Sequence, residues 1–211
     1  MTTSTTAESL GDQLERIIED LPVDKLSLGE ILERFGPQGL LLLSALLTLV
    51  FLIPVSIPGV STVFGAAILL VGVSRLFNRP LWLPSRIRER SLPAERLRPA
   101  LTKGMTWVRK LEKISRPHRL SVLAEGRIVD VFNNLAFILA ALLLMAPFGF
   151  IPFSNTIPGV ALLFYAIGLM QRDGGAILLG HLANIATMAY FSVLIGGGSV
   201  AIMELFRRFG G

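Results

Sequence analysis

The side chains able to do chemistry here are few, and they fall in small groups inside or beside long apolar runs. Gln171-Arg172-Asp173-Gly174 sets a cation beside an anion just behind such a run. That pair could bind an ion, relay a proton or hold a phosphate headgroup. It reads equally as a helix end at a membrane surface, with Gly174 capping the helix in the left-handed conformation and the charges in water. Ser154, Asn155 and Thr156, followed by Pro158 and Gly159, form a second group, and Ser56, Pro58, Gly59, Ser61 and Thr62 mirror it about a hundred residues earlier. Placed near the middle of a membrane, these breaks would offer hydroxyls, carbonyls and a helix N-terminus, the means by which broken helices bind ions and anionic groups. Placed at the far surface, they are ordinary turn residues. His181 and Asn184 stand three apart on one helix face and can hydrogen-bond to a neighbouring helix. Asp130, Asn133 and Asn134 precede the second apolar block and read as polar residues at its interface.

The rest of the inventory excludes chemistries. Cysteine is absent, so there is no disulfide framework, thiol nucleophile or thiolate metal site. His118 and His181 are the only histidines, too few for a histidine metal site without several carboxylates. No Ser/His/Asp arrangement or pair of catalytic carboxylates stands out, and Gly196-Gly-Gly198 lacks the lysine of a phosphate-binding loop. The expectation is a protein that is not an enzyme and carries neither metal nor cofactor.

The elements that must position these groups are membrane helices. The chain has 211 residues, 52% hydrophobic and 17% charged, where a soluble domain is about a quarter charged. No Asp, Glu, Lys or Arg occurs in residues 35–74, 131–171 or 174–203, runs of 40, 41 and 30 residues. Roughly 20 helical residues cross a hydrocarbon core of about 30 Å. The first two runs therefore suffice for two passes each and the third for one. The expected fold is all-α, a polytopic integral membrane protein of two homologous helical hairpins and a C-terminal transmembrane helix. The first residues lack the basic start and apolar core of a signal peptide.

Five segments follow: a tail with an amphipathic helix (1–26), a first hairpin (27–78), a basic linker (79–124), a second hairpin (125–173) and the last helix with its tail (174–211). Ser27-Leu-Gly-Glu30 reads as a capping box opening a short helix that stops at Gly36-Pro37. The arm after it, Leu40–Ile53, has 14 residues, about 21 Å and short of a full span. Two structures fit that arm, a tilted spanning hairpin or a re-entrant one whose tip lies inside the membrane. Residues 75–127 hold fourteen of the twenty Lys and Arg against four acidic residues. Trp82 reads as an interfacial anchor, with Arg86, Arg88, Arg90, Arg96 and Arg98 behind it. An amphipathic helix lying on the surface is expected over residues 97–114. This linker is expected to be cytoplasmic and to meet anionic lipid headgroups; adjacent membrane segments explain its charge without nucleic acid. The last run predicts one helix of roughly 20 residues, ending near Gly196-Gly-Gly198. A homo-oligomer is compatible with the pattern.

Two features mark a duplication. Leu52-Ile-Pro-Val-Ser-Ile-Pro-Gly-Val60 has its counterpart in Phe150-Ile-Pro-Phe-Ser-Asn-Thr-Ile-Pro-Gly-Val160, and Gly29 to Phe35 matches Gly126 to Phe132. Whether the copies are inverted or parallel stays open at this point. The double Pro/Gly break, Pro80-Leu-Trp-Leu-Pro84 and Gly168-Leu-Met-Gln-Arg-Asp-Gly174 together resemble the ExoD family of bacterial exopolysaccharide-synthesis proteins, over about residues 25–200. The resemblance implies a multi-pass protein of the bacterial inner membrane linked to exopolysaccharide production, and brings no catalytic residues with it. The expected function is the handling or transport of a small solute, ion or lipid-linked intermediate at the breaks. A non-transporting scaffold that recruits partners through its linker is the alternative.

Overall fold

The computed structural model describes residues 25–52, 59–79, 91–93, 119–146 and 151–209, with scattered positions within 15–19, 81–110 and at 148. Among them five long helices carry the fold: α1 (Leu28–Leu49), continued by a 3-10 turn at Val50–Leu52, α2 (Val60–Leu76), α3 (Arg127–Leu144), α4 (Thr156–Gln171) and α5 (Gly174–Phe209). Two three-residue strands, β1 (Lys25–Ser27) and β2 (Ser91–Pro93), pair antiparallel with Leu26 opposite Leu92. Glu15, Arg16, Ile18 and Glu19 are helical, and so are Thr102, Met105, Thr106, Arg109 and Lys110. Arg109 donates to Glu15 at 2.5 Å, tying these two amphipathic segments together.

Two expected helix ends are absent. α1 starts directly behind Ser27 but runs on through Gly36-Pro37. A proline in a helix removes a single backbone bond, and neighbouring helices can hold the chain on course past it. α5 likewise continues through Gly196-Gly-Gly198 for 36 residues in all, about 54 Å. Each glycine weakens helix formation by about 1 kcal/mol but removes no hydrogen bond.

α1, α2, α3 and α4 each pack on the next, α4 closes back on α1, and α5 lies along α4 and α3. Gly65 of α2 lies against Ala141 and Met145 at the end of α3, while Gly72 faces Phe137 and Ile138 nearer its start, so α2 and α3 run antiparallel. Gly159 at the start of α4 lies against Thr48 and Phe51 at the end of α1. Phe51 and Phe64 meet edge to face at 6.0 Å, joining α1 to the start of α2. The end of α1, the start of α2, the end of α3 and the start of α4 therefore lie together at one end of the bundle, the tip end, and both hairpins point the same way. Exchanging α1 with α3 and α2 with α4 maps the α1–α4 contact onto α3–α2. That is the relation a parallel duplication would have.

The core is made of Leu41, Ala45, Phe51, Ile68, Phe137, Ala141, Leu144, Leu162, Tyr165, Ala166 and Ile177, with small residues letting the backbones approach. Polar side chains lie inside this bundle as well, and large apolar ones outside it. Ser44, Thr48, Asn133, Asn134, Asn184 and Thr187 are buried, while Leu135, Leu142, Leu182, Ile185 and Val193 are exposed. α3 and the Gly174–Gly198 part of α5 are long and apolar enough to cross a membrane; Gly39–Leu52, Ser61–Leu76 and Thr156–Gln171 are apolar but shorter.

Candidate functional site

The sequence's candidate residues do not form one site. Ser154, Asn155 and Thr156 lie at the tip end, and Arg172 and Asp173 lie at the other end of α4, a helix of 16 residues or about 24 Å. Pro58 lies outside the described residues, as do Trp82, Arg86, Arg88, Arg90, Arg96 and Arg98.

At the tip, the residues build the turn. Phe153 adopts a left-handed φ of 64°, and the buried Ser154 hydroxyl shares its one hydrogen between the Phe148 and Ile151 carbonyls, 2.7 and 2.8 Å away. Tyr190 of α5 donates to the Pro152 carbonyl at 2.6 Å. α4 starts at Thr156, ahead of Ile157-Pro158-Gly159 rather than at it. Pro158 falls in the first turn, where its missing N–H has no intrahelical acceptor to lose. Gly159 is helical and buried against α1, whereas Gly59 is exposed with φ +83° and caps α2. The two Pro-Gly pairs are alike in sequence, yet their glycines, Gly59 and Gly159, are used differently. Asn155 is buried as the N-cap residue of α4 and makes no side-chain cap bond, and its Oδ1 has no partner.

At the opposite end, Gln171-Arg172-Asp173-Gly174 is a corner between helices. The left-handed residue is Arg172 (φ 52°, ψ 39°), not Gly174. The Asp173 N–H closes on the Gly168 carbonyl at 2.9 Å, the six-residue closure of a Schellman turn. Asp173, 2% exposed, then caps α5: its Oδ1 accepts from the Gly175 N–H at 2.8 Å and the Ala176 N–H at 3.3 Å. Gly174 opens α5 because the Leu120 carbonyl presses on the place a side chain would fill. Its N–H donates to the Arg119 carbonyl at 2.7 Å. Arg172 is exposed, and its partner in the sequence has been taken up as a cap.

The connected polar groups lie between these two ends. Asn133 on α3 donates through Nδ2 to the Leu123 carbonyl at 2.8 Å, which leaves Oδ1 facing His181 Nε2 at 3.0 Å. An amide oxygen only accepts, so Nε2 carries the hydrogen and Nδ1 is a bare acceptor. Nδ1 meets the Tyr165 hydroxyl at 2.7 Å, so the phenol donates to it. Asn184 Nδ2 donates to the Ala136 carbonyl at 2.9 Å and to the Tyr165 oxygen at 3.2 Å. The result is one directed line: Asn184 to Tyr165 to His181 to Asn133 to the Leu123 carbonyl. Asn184 Oδ1 is buried without a partner. Gly180 makes this line possible, since a Cβ there would stand 2.9 Å from the Tyr165 ring. The Phe132 ring lies 5.3 Å from that of His181.

Beside this line, Arg75 at the end of α2 donates through Nε to Asn134 Oδ1 at 3.2 Å and stands 4.0 Å from Asp130. Asn134 donates back to the Asp130 carbonyl at 2.8 Å. The sequence reading anticipated the cross-helix bonding of His181 and Asn184. It placed Asn133 and Asn134 at an interface, whereas both are 1% exposed. It missed Tyr165, the lone polar ring within the apolar stretch 131–171, which was the available signal.

These features define a class: a helical protein with membrane-length apolar helices around a line of buried amides, a phenol and an imidazole. The chain belongs to the ExoD family, described as exopolysaccharide synthesis, whose family model matches residues 10–193. It is 48% identical over 186 residues to Protein ExoD of Rhizobium meliloti (strain 1021), covering 88% of this chain and 77% of the relative. It is also 30% identical over 162 residues to the uncharacterized protein slr1875 of Synechocystis sp. (strain ATCC 27184 / PCC 6803 / Kazusa), covering 76% and 71% of the two chains. No solved structure matches the chain.

Proposed function

We propose that this protein is a non-enzymatic, multi-pass component of the bacterial inner membrane that serves exopolysaccharide production by handling a small ion or solute. The line from Asn184 through Tyr165 and His181 to Asn133 is the site of that handling. The observation that carries the reading is this line itself, with an unpartnered acceptor at one end, inside helices whose outward faces are apolar. Ionisable groups among membrane helices are costly and mark pathways for ions or protons. Tyr165, Asn133 and Asn184 are almost wholly buried, which favours a small guest over a lipid-linked sugar. The hairpin breaks then serve as turns, and the basic linker faces the cytoplasm against anionic headgroups, without nucleic acid. A homo-oligomer is compatible with the apolar outer faces of α3 and α5.

The test is restoration of exopolysaccharide yield in a bacterium whose own ExoD-family gene has been deleted. His181→Gln, Tyr165→Phe and Asn184→Leu should each reduce the yield at unchanged protein level in the membrane. Neutralising Arg86, Arg88, Arg90, Arg96 and Arg98 together should leave it near normal. The reverse outcome would establish the scaffold reading, in which the linker recruits partners.

A further inference from the structure

We propose that His181, Tyr165 and Asn184 form a proton-binding site in which taking up one proton reverses the hydrogen bonds of the phenol. This deepens the site reading above and rests on it for its place in function, but the bonding argument stands on geometry alone. In the structure His181 is hydrogenated on Nε2, because Asn133 Oδ1 can only accept, and Nδ1 accepts from Tyr165. A proton arriving from water adds to the Nδ1 lone pair and makes an imidazolium with two N–H groups. No other covalent bond is made or broken. Nδ1 can then only donate, so the Tyr165 oxygen must accept from it and the phenol hydrogen must turn elsewhere.

That hydrogen has one buried acceptor in the same network without a donor, Asn184 Oδ1. A turn of the Asn184 amide brings Oδ1 to the hydroxyl and releases the Ala136 carbonyl of α3, now bonded to Nδ2 at 2.9 Å. The orphan acceptor, costly in the neutral state, is thus satisfied in the protonated one, and in exchange the amide Nδ2 gives up its bonds to the Ala136 carbonyl and the Tyr165 oxygen. Protonation is coupled in this way to the tie between α5 and α3. Charged groups on the packed elements are Arg127 and Asp130 on α3, Arg75 on α2, Arg172 and Asp173 at the α4–α5 corner, and Arg119 and Glu125 ahead of α3. The imidazole's own hydrogen-bond partners are Asn133 and Tyr165.

His118→Gln leaves His181 as the sole histidine, so ¹⁵N spectra of that variant in lipid nanodiscs report on it directly. The expected result is a pure Nε2–H tautomer at high pH, converting to imidazolium within pH 4–9. The Tyr165 ¹³Cζ signal should move with the same midpoint, assigned by comparison with Tyr190→Phe. Adding Asn184→Leu removes the waiting acceptor and should weaken proton binding roughly tenfold, one pH unit. An Nδ1–H tautomer, no titration between pH 4 and 9, an unmoved tyrosine signal, or an unchanged midpoint in Asn184→Leu would each overturn the proposal. Should Asn184→Leu fail to fold, the tautomer and the tyrosine midpoint decide it. These spectra are independent of polysaccharide yield, so failure here and failure of the proposed function are told apart.

Discussion

At the residue scale, the Gln171–Gly174 motif shows how a chemically suggestive pair can be structural. Asp173 spends its carboxylate on the first N–H groups of α5, and Arg172 takes the left-handed position that closes α4. Asp173→Ala should therefore destabilise the protein by about 1 kcal/mol, with Asp173→Asn retaining most of the cap. Thermal unfolding in detergent would measure both. Arg172→Gly relieves a side chain held at positive φ and should stabilise by about 1 kcal/mol, raising the melting temperature with polysaccharide yield unchanged. Loss of yield in that variant would return Arg172 to the candidate site. Gly180→Ala acts through Tyr165: its Cβ displaces the ring, so the yield should fall as is expected for Tyr165→Phe, without loss of protein from the membrane.

At the element scale, the decisive fact is that the end of α1 with the start of α2 and the end of α3 with the start of α4 lie at one end of the bundle. The α2–α3 contact at Gly65 and Met145 and the α4–α1 contact at Gly159 and Phe51 require it. A Gly65→Cys, Met145→Cys pair in this cysteine-free chain should cross-link on mild oxidation, while Gly65→Cys with Leu123→Cys, at the start of the bundle, should not. Inverted copies would give the opposite result. The sequence showed the helices plainly, because charge-free runs and 3.6-residue spacing are local. It misjudged their ends at Pro37 and at Gly196, because a breaker's effect depends on what packs beside it. It also could not tell that Gly59 caps a helix while its counterpart Gly159 lies inside one.

At the scale of the whole molecule, the end opposite the turns gathers Arg75, Arg79, Arg119, Arg127 and Arg172, next to the basic linker. On the multi-pass reading proposed above, the positive-inside rule would set that end in the cytoplasm and the opposite end on the far side. α5 runs from the Arg172 corner toward the Pro152 turn and on to Arg207, so that reading would place Arg207 on the far side as well. Single cysteines at the exposed Phe153 and at Arg207 should label with an impermeant reagent added outside spheroplasts. A cysteine at the exposed Val122 should label only after lysis. Labelling of Phe153→Cys only after lysis would reverse this orientation.

By itself the sequence determined that this is a predominantly helical protein with membrane-length apolar stretches, a basic middle segment and two matching breaks. Those properties are carried by composition and short-range spacing. Only the tertiary structure decided that Ser154 builds a turn and Asp173 caps a helix, so that the two groups form no common site. It alone joined Asn133, Tyr165, His181 and Asn184 into one line. These four residues are up to about fifty positions apart in the chain, and no local pattern links them. Their relation exists only where α3, α4 and α5 cross, at a glycine small enough to let a phenol reach an imidazole.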